Sequence, residues 1–142
     1  MLETLERIED GSAEFVPQDE SKATKAPKLK KSDGYIDFSK SAGILCNKIR
    51  GLWPWPGATV LYHSVRKGKS LGVILAEARL IKTSSPSKLL PGTVDENLDV
   101  ICGKDALRII KIKPAGGEVM SFRDFINGQR TAPGDLFTKT GE

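Results

Sequence analysis

Enzymatic chemistry on side chains alone needs a nucleophile beside a base, a pair of carboxylates, or a bound metal. The sequence is poor in all three. His63 is the single imidazole among 142 residues, which excludes a multi-histidine metal centre. It stands two residues from both Leu61 and Val65. In a strand it shares their face, as a packed or rim residue. Cys46 and Cys102 fit no metal-ligand spacing, and Cys46 falls on the apolar face of a predicted helix, where it reads as a small buried hydrophobe. Asp95, Glu96 and Asp99 read as a solvated turn. Gly116-Gly117 lacks the helix and lysine context of a phosphate-cradling loop. No active site emerges, and neither a metal nor a bound cofactor is expected.

Cations supply the other chemistry. The net charge is +4, but it is unevenly spread. Residues 1–20 hold seven acids against one base, whereas residues 21–142 hold 21 bases against 11 acids, a net of +10. A basic body makes a polyanion a plausible partner. Eight residues stand out by charge and placement as candidates for nucleic-acid phosphates: Lys28, Lys30, Lys31, Arg50, Lys67, Lys69, Lys111 and Lys113. Lys111 and Lys113 share a strand face unless a bulge intervenes. Arg66, Arg123 and Arg130 add to the inventory. Tyr62 is the one aromatic inside a predicted strand, so a base-stacking platform of strand aromatics is not expected. Phosphate contact without base reading suits the composition better.

The elements that would position these cations follow from periodicity and punctuation. Leu2, Leu5 and Ile8 form an apolar stripe on a helix over residues 1–10, stopped by Gly11, with nothing nearby in the chain to cover it. Residues 12–37, with Pro17, Pro27 and five lysines within ten residues, read as a linker. It is either a solvated tether or a strap along a phosphate backbone. A helix is predicted over 39–49 with Ser39 as its N-cap and Ala42, Leu45, Cys46 and Ile49 on one face. In Trp53-Pro54-Trp55-Pro56 the prolines preclude helix and central strand, and the two indoles are expected to pin an extended connector against the body. Strands follow over 59–65, 71–81 (bent or bulged near Gly72), 92–94, 98–102 and 106–113, with a polar loop around Pro86. A short helix begins after Ser121 and ends near Gly128. Five short, evenly spaced strands with flanking helices predict a mainly β chain built on a small OB-type barrel. The longest apolar runs are far shorter than the ~20 residues of a spanning helix. No secretory signal is visible, and two lone thiols suit a reducing cytoplasm.

A family resemblance then enters. The segments Pro17-Gln18-Asp19-Glu20-Ser21, Ala23-Thr24-Lys25-Ala26-Pro27-Lys28-Leu29 and Asp33-Gly34-Tyr35-Ile36-Asp37-Phe38 resemble the interdomain linker of methionyl-tRNA formyltransferases. Ile49-Arg50-Gly51-Leu52-Trp53-Pro54-Trp55-Pro56-Gly57-Ala58 resembles that family's entry to its C-terminal domain. So do Pro91-Gly92-Thr93-Val94, Cys102-Gly103, and the run from Met120 through Asp124-Phe125-Ile126-Asn127-Gly128-Gln129-Arg130. Lys25 stands where the family usually has an aromatic, and Phe38 where tryptophan is common. The resemblance implies residues 1–11 as the last helix of a catalytic domain, 12–37 as linker, 38–132 as an OB-like C-terminal domain and 133–142 as a tail. It also implies a partner, initiator tRNA, held while a separate Rossmann-type domain, in cis or in trans, transfers formyl from 10-formyltetrahydrofolate to methionyl-tRNA. That co-substrate and the catalytic residues would belong to the other domain. Three other readings remain open: a docking partner of a separately encoded catalytic domain, the equivalent domain of a formyltransferase acting on a sugar nucleotide or small molecule, and a gene remnant without function.

Overall fold

A computed structural model describes residues 2–84 and 87–140; Pro86 of the expected polar loop lies outside them. In chain order the elements are α1 (Leu2–Glu9), single helical turns at Glu20–Lys22 and Lys31–Gly34, α2 (Ala42–Leu52), β1 (Ala58–Ser64), β2 (Lys69–Ile81), β3 (Val100–Ile101), β4 (Ala106–Pro114), β5 (Met120–Ser121), α3 (Phe122–Gln129) and β6 (Leu136–Lys139). All ladders are antiparallel, in the order β3-β4-β2-β1-β6, with β5 also beside β4. The sheet curls into a nearly closed, OB-like barrel.

Closure depends on residues 92–94, which act as a stave between the outer strands. Thr93 bridges to Leu136 on β6, and Val94 bridges to Val100 on β3. Gly92 N donates to the Ile101 carbonyl, Phe137 N donates to the Gly92 carbonyl, and Val94 N donates to the Asp135 carbonyl. Gly92 has φ +92°, and an added Cβ would lie 2.2 Å from the Phe137 carbonyl oxygen. Only glycine lets the two backbones approach this closely.

The core follows from alternation. On β1, Ala58, Val60, Tyr62 and Ser64 point inward while Thr59, Leu61 and His63 are less buried. Val73 and Leu75 of β2 and Leu107, Ile109 and Ile112 of β4 complete the wall. Five aromatics gather inside: Phe38, Tyr62, Phe122, Phe125 and Phe137. Tyr62 meets Phe125 edge-on with centroids 5.2 Å apart, a favoured aromatic geometry. The buried hydroxyl of Tyr62 donates to Asp135 Oδ2 at 2.5 Å, and Thr131 Oγ1 lies 2.9 Å away. Asp135 also accepts from the backbone N–H groups of Val65 and Ala132. One buried carboxylate thus ties the β1–β2 turn to the entry of β6.

Several expectations are corrected. The helix predicted from Ser39 begins at Ala42, with Ser41 at the cap position. Residues 37–41 are committed elsewhere: Gly103 N donates to the carbonyls of Phe38 and Lys40, and Ala42 N donates to Lys104 O. The bulge expected near Gly72 lies instead at Ala76–Glu77, where the β2–β4 register slips twice. The segment expected to trail behind the barrel carries β6, which pairs with β1 and buries Phe137. The end of the expected linker joins the wall, with Ile36 buried and Tyr35 bridging to Thr59. The connector after α2 is pinned by Leu52 and Pro56, both buried, while Trp53 and Trp55 remain 36% and 62% exposed.

Candidate nucleic-acid interface

The imidazole and the two thiols sit in structural settings. His63 lies on the barrel's outer face, its Nδ1 2.7 Å from Ser70 Oγ on β2 and its Nε2 2.7 Å from Thr138 Oγ1 on β6. Both ring nitrogens are used in linking three strands, so the rim placement holds. Cys46 is half-buried on α2, and burial raises its thiol pKa against the opposing charge of Arg50. Burial also pushes Cys102 up to about 12, with Cys46 and Asp105 adding smaller repulsions. Neither environment favours a thiolate nucleophile. Gly116-Gly117 lies in the turn between β4 and β5.

The turn at residues 95–99 is only partly solvated, contrary to expectation. Asp95 accepts from the backbone N–H groups of Asn97 and Asp99, a local turn. Asp99 is only 2% exposed. Its two oxygens accept from Arg108 Nε and Nη2, each at 2.7 Å. Arg108 is nine residues away in sequence, and only the β3–β4 hairpin brings it back to Asp99. Among the described residues no group of three or more His, Cys, Asp or Glu converges as a metal site. Among the described residues no helix is long and apolar enough to cross a membrane.

The structure divides the eight candidate cations into three sets. Lys28 and Lys30 are exposed before the barrel, and Asp33 accepts from the Lys30 backbone N–H. Lys67 and Lys69 flank the β1–β2 turn, where Lys67 Nζ donates to the Gly128 carbonyl at 3.3 Å. That carbonyl belongs to the last turn of α3, the end of a helix that favours a positive charge.

The third set follows the paired strands β2 and β4. Lys31 borders a hollow of about 360 Å³ that it shares with Tyr35, Thr59, Ile74 and Ala115. Lys113 lies opposite Ile74 in the ladder, and Lys111 lies opposite Glu77. The bulge at Ala76 shifts the β2–β4 register between Ile112 and Lys111. The extra residue is on β2, however, and on β4 Lys111 and Lys113 flank the buried Ile112, so the expected shared face is kept. Lys111 Nζ is 3.1 Å from Glu77 Oε2 in a half-exposed ion pair. Glu77 and Arg50 line a second hollow of about 300 Å³ between α2 and β2. Lys31, Lys113, Lys111 and Arg50 therefore succeed one another along one side of the barrel. Arg79 belongs with them and was not singled out by sequence reasoning. It sits directly opposite Arg108 and makes no ion pair among the described residues. Its location beside Arg50 depends on the double slip in β2–β4, for which the sequence carries no local signal.

The aromatics agree with the expected lack of a strand platform. Tyr62 and Phe137, both on strands, point into the core.

The family described as formyl transferase, C-terminal domain, matches residues 28–130. Over 140 residues the chain is 39% identical to the methionyl-tRNA formyltransferase of Chlamydia trachomatis serovar A, covering 96% of this chain and 44% of that protein. It is 40% identical to the same enzyme of Koribacter versatilis, covering 95% of this chain and 41% of the relative. For the Bacillus velezensis enzyme the identity is 34%, with 100% of this chain and 44% of the relative covered. The chain thus spans less than half the length of these relatives.

Proposed function

From a chain that belongs to the formyl transferase C-terminal domain family, we infer a tRNA-holding module of methionyl-tRNA formylation. It grips the phosphate backbone of initiator tRNA in the cytoplasm. A catalytic domain, in cis or in trans, moves formyl from 10-formyltetrahydrofolate to the methionyl amino group for translation initiation. In this reading residues 1–11 belong to the end of the catalytic domain, and the linker runs from residue 12 to the point where Tyr35 joins the barrel wall. The observation that carries the reading is the succession Lys31, Lys113, Lys111 and Arg50 along β2–β4. Successive cations along one wall suit a polyanion whose charges repeat, and phosphate contacts fix register without reading bases.

The test is tRNA affinity measured across a salt series. The logarithm of affinity should fall steeply with the logarithm of salt, by roughly one unit of slope per phosphate neutralised. Lys113→Glu should lower both affinity and slope, because that residue lies within the succession. Lys67→Glu should do less, since Lys67 is already engaged by the Gly128 carbonyl. An affinity that stays flat as salt rises overturns the reading.

One observation favours a docking role as well. The apolar stripe of α1 is bare, with Leu2 79% and both Leu5 and Ile8 58% exposed. Rescue of formylation in a mixture with a separate catalytic domain, by a chain with no tRNA affinity of its own, would favour docking as the main role.

A further inference from the structure

We propose that the hollow between α2 and the bulged part of β2 holds one unpaired nucleotide of the bound RNA, its base on the Trp53 indole and its phosphate between Arg50 and Arg79. The inference rests on the RNA-binding reading above and names a site within it.

The hollow has a volume of about 300 Å³, near the lower bound for a small-ligand site, and combines apolar, aromatic and cationic lining. Ile49 and Cys46 of α2 supply an apolar floor. Trp53, just past the end of α2, borders it with its indole partly exposed. Arg50 and Arg79 bring two guanidinium groups to the same hollow from different elements. Arg50 Nη2 donates to Asn47 Oδ1 at 3.0 Å, which orients that guanidinium across one helical turn. Glu77 is the one acid at the hollow, and Lys111 neutralises it from the opposite strand at 3.1 Å.

Arg79 faces Arg108 directly across the ladder, an unfavourable like-charge placement. Asp99 relieves Arg108 by accepting from two of its five N–H donors, on Nε and Nη2. Arg79 has no such partner among the described residues, so an anion is the group it lacks. A partly exposed indole beside two arginines matches an aromatic base carried through a sugar to a phosphate, as in a nucleotide. The nucleotide must be unpaired, because a base stacked within a duplex offers no free face.

The experiment uses the fact that the chain has two tryptophans. In Trp55→Phe the remaining indole is Trp53, and its emission reports on the hollow. Initiator tRNA and a short single-stranded oligoadenylate should both quench that emission saturably. Adding Arg79→Ala to the same background should weaken the oligoadenylate response several-fold. Trp53→Ala should bind oligoadenylate about ten-fold more weakly, the size of a single lost stack, and Trp53→Phe should recover most of the loss. Arg79→Ala should leave the melting temperature equal or slightly higher, because it removes the clash with Arg108, so its weaker binding cannot come from unfolding. If tRNA binds with steep salt dependence while Trp53 emission stays constant and the Trp53 and Arg79 variants bind like the parent, this inference is overturned and the RNA-binding reading stands. If neither RNA binds, both are overturned.

Discussion

Two buried groups in the core keep protons that the unfolded chain would give up. Burial, and then the hydrogen bond to Asp135, pushes the Tyr62 phenol up from 10.0 to about 12. Burial pushes Cys102 up from 9.0 to about 12. Between these limits the folded state binds more protons than the unfolded state, so stability falls as pH rises. The contribution is fully present below about pH 9. It is lost first through Cys102, then from about pH 10 through Tyr62 as well. In urea denaturation at several pH values, Cys102→Ala should therefore show a shallower decline in stability between about pH 9 and 10 than the parent. Equal declines would show that the Cys102 thiol does not carry this dependence. The sequence alone places Cys102 and Tyr62 in predicted strands. It does not reveal that Asp135 meets the phenol, because those residues are 73 positions apart.

At the scale of elements, barrel closure depends on two short pieces with little local signal. β6 has four residues, Leu136–Lys139. It is held because β1 pairs along one side, residues 92–93 bond along the other, and Phe137 fills the aromatic core. Phe137→Ala should cost about 3–5 kcal/mol in urea denaturation, the range for deleting a large buried aromatic. Lys139→Ala, on the same strand with an exposed side chain, should stay within about 0.5 kcal/mol. Comparable losses in the two variants would mean that β6 adds backbone pairing but little core packing. α3 was legible because its signals are local: Ser121 Oγ accepts from the Asp124 backbone N–H at 3.1 Å and caps the helix as its spacing predicts. β6 was not, because a four-residue strand is defined by its neighbours rather than by its own periodicity.

For the molecule as a whole, α1 stands apart energetically from the barrel. None of its residues is buried. Deleting residues 1–11 should shift the melting temperature by no more than about 2 °C and leave tRNA affinity near the parent value. A larger thermal loss would show that the stripe packs on the barrel in solution. The bare stripe, the basic balance after residue 20 and the OB-like barrel were all legible in sequence, since each depends on composition or on spacing within a short window. Spacing along the strand likewise put Lys111 and Lys113 on one face. The grouping of Lys31, Arg50 and Arg79 around them was decided by tertiary structure alone. These residues come from the lead-in turn, α2 and β2, and a double register slip determines which of them meet. The same holds for Asp99, which local composition assigns to solvent and the β3–β4 hairpin buries against Arg108. By itself the sequence determined the charge and the class of fold. Which cations form one surface, and whether a free guanidinium stands beside an indole, depended on long-range strand pairing, and local residue patterns do not encode that.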